Sequence, residues 1–180
     1  MEDMWMQLQS GKPWTFLRPK AQDVHIKDIA HALSNLCRYG GHTSRFYSVA
    51  EHSLIMSHLV PFDDALAALL HDATEAYLVD MPRPLKHILT NYKMVESITW
   101  AVIAQRFGLP VELPSSVKRM DNAMLHVERE QLLAAPSYGW MEREWGMGAA
   151  RIPGPSFHIN CMAPPEARTA FLERFSALTK

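Results

Sequence analysis

Ala65-Leu66-Ala67-Ala68-Leu69-Leu70-His71-Asp72-Ala73-Thr74-Glu75 joins an apolar run to one imidazole and two carboxylates. Asp63 and Asp64 place acid just before it, where a helix favours negative charge, and Ala65, Leu66, Leu69, Leu70 and Ala73 are apolar enough to bury that helix deeply. Neither a charged carboxylate nor an unpaired imidazole is stable there without a compensating partner, so something must neutralise His71 and Asp72. Glu75 follows His71 by four residues and Asp72 by three, which places the three side chains on one helical face. That face suits a metal ion and a proton-transfer group.

Upstream, Ile26, Ile29, Ala30, Leu33 and Leu36 recur at the spacing of one buried helical face, which predicts a helix over 23–37 ended by Tyr39-Gly40-Gly41. Ser48 with Glu51 three residues on predicts a capping box, and Val49, Leu54, Ile55 and Leu59 continue that helix to Pro61. His52 rides on it, flanked by apolar residues, and is expected to face the interior as a third ligand.

Downstream, Pro82 and Pro84 predict a rigid loop over 80–86. Val95, Ile98, Ala101, Val102 and Phe107 give a helix from Asn91, closed by Gly108; another is expected over 115–133. The latter carries Asp121 behind Val117 and Met120, a fourth ligand. Residues 136–165, rich in Gly, Pro and Trp, are expected to be irregular, and 166–178 to form a last helix. A short strand pair is expected between 14–17 and 152–158. The fold class is therefore all-α, in a single domain over 1–180 with its core about 24–134.

Two neutral imidazoles, His52 and His71, and two carboxylates, Asp72 and Asp121, cancel the charge of one divalent ion. Nitrogen and oxygen ligands without thiolate favour Mn, Co, Fe, Ni or Mg over a closed Zn site. Between Asp72 and Asp121 the only further histidine is His87, so a second ion lacks ligands and one is expected.

The formal net charge of -1 supplies no field for a nucleic-acid polymer, and the 48% hydrophobic and 21% charged residues are those of a globular chain. No basic start with an apolar run and no stretch of membrane-spanning length is present, so no membrane partner and a cytoplasmic location are expected. Cys37 and Cys161 read as free thiols. His42 lies in the loop Gly40-Gly41-His42-Thr43-Ser44-Arg45, between two elements of the pocket, where it can contact phosphate.

Ser48-Val49-Ala50-Glu51-His52-Ser53, then Ala68 through Glu75, then Asp80-Met81-Pro82-Arg83-Pro84-Leu85-Lys86 together resemble the bacterial 5'-deoxynucleotidases of the HD superfamily, and Val117-Lys118-Arg119-Met120-Asp121 looks like that family's distal metal-binding aspartate. The resemblance implies an HD-type helical bundle and one ion on His52, His71, Asp72 and Asp121. It further implies hydrolysis at the phosphorus beside the 5' oxygen of a nucleotide, and at least a dimer. Glu75 and Asp80 match the acids that serve proton transfer and water placement, and Arg38 looks like the phosphate-binding arginine. Tyr39 stands where the family commonly has Trp near sugar or base. Pro84 and Lys86 belong to the matching loop and are expected to bind substrate, Lys86 through its phosphate.

HD relatives with the same ligands remove triphosphate from deoxynucleoside triphosphates. Arg38, Arg45, Arg83, Lys86, Lys118 and Arg119 supply basic groups for that alternative. A catalytically silent HD module that binds metal or nucleotide is the third reading.

Overall fold

The computed structural model describes residues 4–135 and 157–180. Trp5–Gln7 (β1) and Pro13–Thr15 (β2) form an antiparallel hairpin in which Met6 faces Trp14. Trp14 is fully buried and stacks on Tyr77 with ring centroids 3.8 Å apart, which pins the hairpin to the helices. This corrects the expected strand pair. The partner of the Trp14 strand is its own hairpin neighbour, residues 157 and 158 carry no strand, and 152–156 lie outside the described residues. Closing a short hairpin costs far less chain entropy than joining segments on opposite ends of the chain.

The rest is predominantly helical: α1 (Ile26–Asn35), α2 (Val49–Leu59), α3 (Ala65–Leu70), α4 (Glu75–Leu78), α5 (Arg83–Ile88), α6 (Thr90–Phe107), α7 (Ser115–Leu132) and α8 (Pro164–Leu178). The predicted periodicities over α1, α2, α6, α7 and α8 appear as helices with ends shifted by a few residues. Of the expected irregular segment, 136–156 lies outside the described residues.

Three local expectations are corrected. At α2, Ser48 Oγ does accept the Glu51 N–H at 3.1 Å, but the Glu51 carboxylate does not return to Ser48. It accepts instead from the N–H groups of Asn160, Cys161 and Met162 at 3.0, 3.0 and 2.7 Å, tying the approach to α8 onto α2. The helix of Ala65 to Leu70 does not run on through Glu75. Ala73 N donates to Leu70 O and Glu75 N to Asp72 O, a tighter winding that leaves His71 and Asp72 in a turn between α3 and α4. The 80–86 loop contains a helix start: Pro82 precedes α5 and Pro84 lies in its first turn, where a missing N–H breaks no helical bond.

α2 packs against α1, α3, α7 and α8. Ile29, Leu33, Val49, Ala50, Leu69, Leu70, Ile103 and Phe171 are sealed in the main core, and Met56, Ala67, Ala68, Val117 and Met124 close a second layer between α2, α3 and α7. A helix covered on so many sides carries even its polar residues inward, which is why Glu51, His52 and Ser53 are fully buried.

Candidate metal centre

His52 from α2, His71 and Asp72 from the turn after α3, and Asp121 from α7 converge. His52 Nε2 lies 3.3 Å from His71 Nε2, 3.7 Å from Asp72 Oδ2 and 3.5 Å from Asp121 Oδ1. His71 Nε2 lies 3.2 Å from Asp72 Oδ2 and 4.0 Å from Asp121 Oδ1. His52, His71 and Asp72 form a group able to hold a metal ion.

Hydrogen bonding fixes which ring nitrogens are available. His71 Nδ1 stands 2.7 Å from the carbonyl of Ala68, which only accepts, so that nitrogen carries the hydrogen and Nε2 presents a lone pair. His52 Nδ1 donates in the same way to Glu128 Oε1 at 2.6 Å. In the neutral rings, two lone pairs then point at each other across 3.3 Å with two carboxylate oxygens beside them. Such a set attracts positive charge: Arg38 faces Asp72, Arg83 faces Asp121, and between the two Nε2 atoms a proton or a cation would serve. Bonds of about 2.1 Å to a shared ion put ligand atoms about 3 to 4 Å apart, so His52, His71 and Asp72 fit a divalent cation in both chemistry and spacing, and Asp121 Oδ1 lies beside both imidazoles.

The electrostatics agree. Burial and Arg38 both push the His52 proton off, yet Glu128 and Asp121 outweigh them and raise its pKa to about 9. Asp72 is held well below the usual carboxylate range: burial opposes ionisation, but His71, His52 and Arg38 prevail. Asp121 is lowered against burial by His52 and His71.

Glu128, which sequence reading overlooked, is the base of the centre. Its sealed carboxylate accepts from His52 Nδ1, from Tyr39 Oη at 2.6 Å, from Tyr47 Oη at 2.9 Å and from Arg38 at 3.3 Å. Its signal in the sequence was its place seven residues after Asp121, two turns along the same face of α7.

The remaining predicted residues divide. Arg38, only 7% exposed, spends its terminal nitrogens on Asp72 at 3.2 Å and Glu128 at 3.3 Å. Tyr39 joins the centre through Glu128. Glu75 is buried at the start of α4, and burial followed by Asp72 and Asp80 drives its pKa well up, against Arg38 and Lys86. No described protein group bonds its Oε2. Asp80 is raised by burial and Asp72 while Arg38, Lys86 and His52 pull it back, so it feels the charges of the centre. Lys86 lies 2.7 Å from Glu96 and 3.8 Å from Glu75. Pro84 is exposed in the first turn of α5. Arg45 is exposed and donates to the carbonyl of Ile159 at 3.4 Å, and no side-chain bond joins the exposed His42 to the centre among the described residues.

The uncharacterized protein YfdR of Escherichia coli (strain K12) is 42% identical over 171 residues, covering 95% of this chain and 93% of YfdR. An uncharacterized protein of Rhodobacter capsulatus is 35% identical over 201 aligned positions, covering 100% of this chain and 98% of its own length. No family model matches the chain.

Proposed function

The chain belongs to the same family as YfdR, and from its centre we propose a single-metal phosphohydrolase that cleaves 5'-deoxynucleoside monophosphates to nucleoside and phosphate. The observation that carries this reading is the convergence of His52 Nε2, His71 Nε2, Asp72 and Asp121 with both Nδ1 hydrogens already committed elsewhere. His52, His71, Asp72 and Asp121 would hold the ion. When bound, it supplies positive charge against phosphoryl oxygens and acidifies water.

The protein groups around that position fit the chemistry. Burial, with Asp72 and Asp80 nearby, raises the pKa of Glu75 above the usual carboxylate range, which suits it to donate a proton to the leaving 5' oxygen. Asp80 is suited to orient the attacking water. Arg38 balances Asp72 and Glu128, and Lys86 faces Glu75 from α5. The nucleotide as substrate rests on the resemblance of the 48–53, 68–75 and 80–86 motifs to the HD-superfamily 5'-deoxynucleotidases.

A second reading, triphosphohydrolysis of deoxynucleoside triphosphates, is favoured by one observation: the guanidinium of Arg83, on a side chain 59% exposed, stands directly beside Asp121.

The test incubates metal-stripped protein with Mn²⁺, Co²⁺ or Mg²⁺ and a panel of nucleoside mono- and triphosphates, separating orthophosphate from tripolyphosphate. Orthophosphate from monophosphates is the expected product. Tripolyphosphate would establish the second reading, and no turnover with any ion would leave a binding module in place of an enzyme.

A further inference from the structure

Among the described residues, three cations border the centre, and they are not equally committed. Arg38 lies between Asp72 and Glu128, and Lys86 between Glu75 and Glu96. Arg83 faces a single carboxylate: its Nη2 donates to Asp121 Oδ2 at 3.1 Å, while Nη1 donates to the neutral amide oxygen of Asn122 at 3.2 Å. On α7, Lys118 and Arg119 near Asp121 turn elsewhere, to Glu112 and Ser115.

With a divalent ion on the four ligands, the charges of Asp72 and Asp121 are set against the ion. Arg38 then keeps Glu128 and Lys86 keeps Glu96, but Arg83 keeps no acid among the described residues. Its side chain is 59% exposed, against 9% for Arg38 and 21% for Lys86, so substrate can reach it without breaking a buried pair. Pro82 and Pro84 flank it and fix the backbone of the first turn of α5, and the bonds to Asp121 and Asn122 place the guanidinium beside the centre. A planar, permanently charged fork with solvent access beside a neutralised centre is matched by phosphoryl oxygens.

We propose that Arg83 is the substrate-phosphate arginine of this centre: paired here with Asp121 and Asn122, it turns its guanidinium to the nonreacting oxygens of a bound phosphate. This rests on the phosphohydrolase reading and names the contact by which the same site recognises its substrate. Arg38, in this assignment, balances the buried acids.

The experiment titrates inorganic phosphate by calorimetry into Mn²⁺-loaded wild-type protein, Arg83→Ala and Arg83→Lys, after Mn²⁺ affinity has been measured for each. Phosphate affinity should fall about tenfold to a hundredfold in Arg83→Ala and recover only partly in Arg83→Lys, which keeps the charge but not the fork. Mn²⁺ affinity should be unchanged or tighter, since the ion no longer competes with the guanidinium for Asp121. Equal phosphate affinity in wild type and Arg83→Ala would overturn the assignment, as would a loss of Mn²⁺ affinity with unchanged phosphate binding, which would make Arg83 a positioning residue for Asp121. If wild-type protein binds Mn²⁺ but no phosphate, the phosphohydrolase reading itself falls and the assignment falls with it.

Discussion

Asp72 and Glu75 stand three residues apart and titrate in opposite directions, because their neighbours differ in sign. Asp72 faces two imidazoles and Arg38, while Glu75 is buried beside Asp72 and Asp80. The lowered pKa favours Asp72 as an anion, as the proposed ion needs, and the raised one favours the protonated form of Glu75, as the proposed proton transfer needs. Glu75→Gln should lower turnover about 10²- to 10⁴-fold with metal content unchanged; metal analysis showing a depleted variant would remove Glu75 from proton transfer.

Glu128 gives a pH signature. Burial works against its ionisation, but Arg38 and His52 hold its pKa at about 2 against the usual 4.5. Because the folded pKa is the lower one, its contribution is fully present above pH 4.5 and disappears as pH falls towards 2. Thermal melts of metal-free protein should lose on the order of 3 kcal/mol across that window, and Glu128→Gln should show a flatter acid decline from a lower starting midpoint. Identical acid dependence in the two proteins would refute this.

At this scale His52, His71 and Asp72 stood out in the sequence because they interrupt apolar runs, while Asp121, between Arg119 and Asn122, was marked by Val117 and Met120 before it and by its likeness to a distal metal-binding aspartate. Glu128 escaped notice because Arg129 and Glu130 beside it make that turn look solvated, and only its two-turn distance from Asp121 marked it.

Among the elements, those with a sustained apolar period were legible: α1, α2, α6 and α7 lie within a few residues of where the spacing placed them. What failed was decided by local backbone chemistry or by distant partners. Prolines at 82 and 84 read as a loop, yet the first turn of a helix has no bonds for them to break. Glu51 left its expected cap for three N–H groups more than a hundred residues away, a contact invisible in local spacing. The stop of α6 was readable because Gly108 adopts φ 67, a left-handed conformation that costs other residues. Gly108→Ala should therefore lower stability to urea by about 1 kcal/mol with little change in metal affinity; an unchanged midpoint would show that α6 does not depend on this cap.

For the whole molecule, α2 is the axis: its apolar side chains join the main core to the second layer, and its His52 lies at the junction with α3 and α7. Among the described residues no helix is long and apolar enough to cross a membrane. Because the four proposed ligands come from three separate segments of the chain, an ion that binds them would stabilise the assembled bundle and not the unfolded chain. The most direct test of the account is equilibrium dialysis of metal-stripped protein against Mn²⁺, with the bound ion counted per chain. One ion is predicted for wild type and a large loss for Asp72→Ala, whereas no ion in wild type, two ions, or full occupancy in Asp72→Ala would contradict the centre described.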